Sequence, residues 1–75
     1  MMTEIKKYTY GIFYGICEDP HILLATICFY TCREFMAYTM AENFTELLKS
    51  NMRFTENLSK QEIESIHFFD LDILR

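Results

Sequence analysis

Apolar side chains first recur at every second position and later at every third or fourth. Over residues 8–17 one face carries Tyr8, Tyr10, Ile12, Tyr14 and Ile16, and the other Thr9, Gly11, Phe13, Gly15 and Cys17. Aromatic and β-branched side chains suit a pleated strand, whereas each glycine would weaken a helix by about 1 kcal/mol. The pattern predicts a strand, with the glycines marking a bulge or a close approach by a neighbouring element. Glu18-Asp19-Pro20-His21 then supplies turn chemistry, because proline presets φ and an aspartate side chain bonds its own following backbone. The same residues also fit a helix start, with Asp19 as N-cap and Pro20 first in the helix. The next run, residues 22–31, decides between the two. It has no polar face at a period of 3.6 and is rich in β-branched and aromatic residues, so it reads as a buried second strand. The two strands form a hairpin that is the platform for the rest.

After Thr31 the period changes. Thr31-Cys-Arg-Glu34 fits a capping box, and Met36, Met40, Phe44, Leu47 and Leu48 then fall on one helical stripe beside Ala37 and Ala41. Glu42, Thr45, Glu46 and Lys49 face away. Met at this spacing reads as core filler, although it also suits an adaptable binding surface. Asn51 is placed to end the helix in a left-handed conformation. Residues 52–57 read as a connector pinned by Phe54. Ser59-Lys-Gln-Glu62 is a second capping box, with Leu58 and Ile63 as its hydrophobic staple, and it predicts a short helix over residues 60–66. Residues 67–74 alternate again, with Phe69, Leu71 and Ile73 on one face and Phe68, Asp70 and Asp72 on the other, which predicts a half-buried third strand.

The expected order is β-β-α-α-β, a small α+β domain with a three-stranded, mainly antiparallel sheet and its helices on one face. Residues 1–75 leave room for one domain and one core. A chain this short buries only about 60% of its unfolded surface, so a partner protein or a second copy of itself, as a homodimer, would add stability. No internal repeat or linker divides it.

The formal charge of −4 argues against direct nucleic-acid binding, which wants a basic stripe that releases counterions. Over residues 34–72 eight acids face only Lys49, Arg53 and Lys60. That half would attract a basic surface, such as one that itself binds nucleic acid, or simply keep the protein soluble. Cys17, Cys28 and Cys32 are an odd number, so no even disulfide framework accounts for them. Lys6-Lys7 before an apolar run is a poor signal peptide, since the run carries Tyr, Thr and Gly and ends in Glu-Asp-Pro. Neither apolar run reaches the roughly 20 residues that cross a bilayer. A cytoplasmic location with reduced thiols is expected, without membrane contact.

Catalytic and metal signatures are weak, and neither an enzyme nor a cofactor is expected. Cys28 and Cys32 are four apart, His21 and His67 are distant in sequence, and structural zinc wants four clustered ligands. Buried free cysteines acting as small hydrophobes are the expectation. Cys17 and His21 flank the turn, but nothing orients a base or supplies an oxyanion donor. Asp70 and Asp72 project from one strand side like a carboxylate pair, yet charges on a terminal strand also discourage edge pairing. Gly11 and Gly15 lack the ending of a phosphate loop.

The tyrosines are the stronger lead, because Tyr combines an apolar body with a polar tip and is enriched at interfaces. If the helix covers the glycine face, Tyr8, Tyr10 and Tyr14 are exposed; if not, they form the core. The expected function is a non-enzymatic binding protein that occupies and inhibits a protein partner through Tyr8, Tyr10, Tyr14, Glu42, Glu46, Asp70 and Asp72. In general type such a chain is similar to phage-encoded inhibitors of host defence or host enzymes, including anti-CRISPR proteins, and to antitoxins. The likeness is one of type, and no motif carries it.

Overall fold

The computed structural model describes residues 4–15 and 21–74. Strands β1 (Lys6–Tyr14) and β2 (Ile22–Thr31) are followed by helices α1 (Glu34–Lys49), α2 (Met52–Thr55) and α3 (Lys60–Glu64) and strand β3 (His67–Asp70). A 3-10 turn, Leu71–Leu74, ends the described chain. The sheet order is β2-β1-β3 and both pairings are antiparallel, so the α+β reading holds with β1 at the centre. The expected turn at Glu18, Asp19 and Pro20, together with Ile16 and Cys17, lies outside the described residues.

The central strand pairs Tyr8 with Phe29, Tyr10 with Ile27 and Ile12 with Ala25, then steps to Phe13 with Leu23. Leu24 is left over as a bulge, where two residues of β2 oppose one position of β1. On the other side Gly11 pairs with Phe69 and Ile12 with Phe68. β2 is an edge strand, not the fully buried strand its composition suggests. Ile27 and Phe29 turn inward and are half-buried, while Thr26, Cys28 and Tyr30 are exposed. Cys28 and Cys32 are both free and exposed, which corrects the expectation of buried thiols.

α1 lies on the Tyr8–Tyr10–Ile12 face. Tyr10 is 2% exposed, Ala37 and Ala41 are fully buried, and Tyr8, Ile27, Phe29 and Phe68 pack around them. Of the two faces, the tyrosine face is therefore the core, and Tyr10 is not offered to a partner as a surface ring. The open face carries Thr9, Gly11 and Phe13. A Cβ at Gly11 would come 2.7 Å from the Phe13 ring, so a side chain there requires that ring to move.

The helix meets the sheet through its smallest residues. Ala37, Ala41 and Thr45 are buried at four-residue spacing, whereas Met36, Phe44 and Leu47, expected as core, are exposed. The sheet already fills the interior with rings: Tyr10 lies 5.8 Å from Phe68 and 6.4 Å from Phe29. Interiors pack at a fixed density, so a helix seated on those rings contributes alanines. The large residues are displaced to one flank of α1.

Other local expectations are refined. Thr31 does not cap α1; its hydroxyl accepts from the Arg33 N–H inside the turn (3.3 Å), and Arg33 is an N-cap without a side-chain bond. Ser50, in a right-handed conformation, ends α1. Asn51 instead starts α2, accepting from the Phe54 N–H (3.0 Å). The Ser59–Glu62 capping box is formed in both directions. The third strand stops at Asp70, because its carboxylate accepts from the Asp72 N–H (2.9 Å) and turns the chain. The Asp72 carboxylate then accepts from the Thr9 N–H (3.2 Å) where the β3 pairing has ended.

The protein is long and thin, 49 × 26 × 14 Å. Its radius of gyration is 13.9 Å, against about 11 Å for a compact chain of this length. The described residues bury few large side chains, so stability rests on the Tyr10 cluster.

Candidate functional site

α1 carries a second pattern on the other flank of its alanine line. Glu34, Tyr38, Glu42 and Glu46 recur every four residues and so lie along one side of the helix. Across from them runs β3. Between the two opens a cleft of about 480 Å³. Glu34, Glu42 and Glu46 line its helix side and Asp70 its strand side, with Tyr10, Tyr38 and Phe68 among the other lining residues. Tyr38 and Phe68 meet edge to face at 5.1 Å. No Lys or Arg lines the cleft. The nearest ion pair among the described residues, Lys49–Glu46 at 3.7 Å, lies along the helix surface, where such pairs contribute little.

Tyr10 joins core and cleft. Its ring is buried, and its hydroxyl makes no hydrogen bond with another described residue. No side-chain oxygen among the described residues is both sealed and unpaired, so the hydroxyl keeps an opening to the cleft it lines. Burial raises its pKa above the ordinary 10.0, and repulsion from Asp70, from Glu34, from Tyr8 once ionised and from Asp72 adds to that rise. The neutral phenol is thus a free donor or acceptor within a negative field.

This shift sets an alkaline signature. The folded value lies above the unfolded one, so the stability Tyr10 adds is complete below the unfolded value and is lost as pH rises through the folded value. Spectrophotometric titration should find one tyrosine ionising above the ordinary range. The fall in unfolding free energy across that window should disappear in Tyr10→Phe.

Of the seven residues singled out from sequence, the cleft gathers Tyr10, Glu42, Glu46 and Asp70. Tyr8 is half-buried against the core, Tyr14 is half-buried opposite Ile22 at the far end of β1, and Asp72 holds the Thr9 backbone. Asp70 and Asp72 do not share a strand face, so the carboxylate-pair reading lapses. The sequence reading missed Glu34, Tyr38 and Phe68. The four-residue spacing of Glu34, Tyr38, Glu42 and Glu46 is visible in the chain, but Tyr38 lies off the large apolar stripe that marked the expected core.

Comparison with known proteins found no matching family model, no similar curated protein and no similar solved structure. No helix among the described residues is long and apolar enough to cross a membrane.

Proposed function

We propose that this chain is a non-enzymatic binding protein that occupies a basic surface of a protein partner and seats a Lys or Arg side chain in the α1–β3 cleft. The observation behind this reading is the set of four carboxylates and the four rings of Tyr10, Tyr38, Phe68 and Phe69 around one opening that lacks a Lys or Arg of its own. Arginine suits it best: a guanidinium stacks on an aromatic ring and forms paired hydrogen bonds with carboxylates. A partner that uses that basic surface to hold nucleic acid would be inhibited, because the carboxylates would stand where phosphates bind.

Complex formation should weaken steeply between 0.1 and about 1 M salt, as the screening length falls from about 10 to 3 Å. The protein alone should give no gel shift with DNA or RNA. Salt-independent capture of the partner, or a gel shift, would contradict the proposal.

A second reading, self-association, has its own observation. Phe35, Leu47 and Met52 are 77%, 68% and 84% exposed on the helical layer. Light scattering separates the two: a mass that doubles with concentration supports a homodimer, and a constant monomer mass rejects it.

A further inference from the structure

The fold joins two histidines that lie 46 residues apart in the chain. His21 precedes β2, His67 opens β3, and β1 runs between these strands. The His21 Nδ1 and His67 Nε2 atoms are 3.2 Å apart, a hydrogen bond between the two rings. The ring centroids are 4.9 Å apart with planes inclined at 77°, too close for the rings to meet head-on across that N–N distance.

The surroundings hold both rings in place. The Nδ1 of His67 lies 2.8 Å from the Ser65 carbonyl, which accepts its proton and leaves Nε2 as a lone pair facing His21. Phe13 stacks on His67 at 5.8 Å with the planes 21° apart. Ser65 is fixed in turn, accepting from the Gly15 N–H (3.1 Å) and donating to the Glu62 carbonyl (2.7 Å). Gly15 is small because His21 lies against it; a Cβ there would come 2.9 Å from the imidazole and 3.1 Å from the His21 backbone.

We propose that one late first-row divalent cation of the zinc class replaces this hydrogen bond, held by His21 Nδ1 and His67 Nε2 with the His21 proton carried on its other ring nitrogen, and staples the start of β2 to β3 across β1. A tetrahedral ion with bonds of about 2.0–2.1 Å holds two ligand nitrogens about 3.3–3.4 Å apart, close to the spacing found. Imidazole pairs suit Zn, Cu and Ni, and a ligand histidine characteristically donates its other ring N–H to a carbonyl, as His67 does. Among the described residues no group of three or more His, Cys, Asp or Glu side chains is placed to hold a metal. Water completes the coordination. Binding favours the folded state, since the two ligands are distant in the unfolded chain.

The test is a titration of the full chain with zinc chloride in a non-chelating reductant, with magnesium as control. It is followed by imidazole ¹H–¹⁵N spectra and thermal unfolding. Zinc, but not magnesium, should shift the ring signals of His21 and His67 to saturation at one equivalent. It should raise the Tm by about 5–10 °C at zinc about tenfold above its Kd. His21→Gln and His67→Gln should each fold and lose both responses, while Cys17→Ser, Cys28→Ser and Cys32→Ser keep them. Absent ring shifts, zinc binding that survives the glutamine substitutions, or loss of binding in a serine variant would each overturn the site.

Discussion

Tyr10→Ala should leave the protein largely unfolded at 37 °C. Removing a buried aromatic ring costs about 3–5 kcal/mol, and a chain of this length has about 4–11 kcal/mol in all. The thin shape and sparse interior place this protein toward the lower end of that range. Tyr10 touches both flanking strands through Phe29 and Phe68 and supports Ala37 and Ala41 above it, so its loss opens the sheet-to-helix contact as a whole. At about 4–8 °C per kcal/mol the Tm should fall by at least about 12 °C by circular dichroism. Tyr10→Phe keeps the ring and should stay folded. A fall of only a few degrees in Tyr10→Ala would mean that the core lies elsewhere.

The second large effect falls on binding. Glu42→Lys/Glu46→Lys reverses two of the four negative charges lining the cleft while leaving the buried line of α1 untouched. Both glutamates are exposed, and the one ion pair lost, with Lys49, is a surface pair of little worth. The fold should therefore survive with nearly unchanged Tm. Affinity for an arginine-bearing peptide should fall at least about 100-fold, because like charges brought together across an interface cost several kcal/mol. Titration calorimetry on the double variant checks it. A change of less than about threefold would remove these residues from the interface.

The sequence carried the architecture further than the site. Strand alternation in Tyr8, Tyr10 and Ile12 and the Ser59–Glu62 capping box are local signals, and the structure realises both. Which face of β1 is buried is not a local property. It depends on how closely α1 approaches, and that distance is set by rings from three strands meeting the small side chains of Ala37 and Ala41. Reading the largest apolar stripe as the core therefore placed Met36 and Leu47 inside, with Ala37 and Ala41 only beside them and Thr45 facing away, whereas those three small residues are the buried line. The cleft follows from the same geometry: once α1 is seated on its alanines, Glu34 and Tyr38 come to face β3 and join Asp70 and Phe68. The histidine pair was hidden by distance along the chain alone, because β3 returns beside β1 only after all the helices.

The cleft is tested most directly by titrating ¹⁵N,¹³C-labelled protein with a short arginine-containing peptide, using the same peptide with citrulline in place of arginine as the control. The rings of Tyr10, Tyr38 and Phe68 and the carboxylates of Glu42, Glu46 and Asp70 should shift together along one saturable curve that weakens with salt, and citrulline should leave them in place. Equal shifts with both peptides, or shifts confined to the open face of the sheet, would contradict the proposal that this opening receives a cationic side chain.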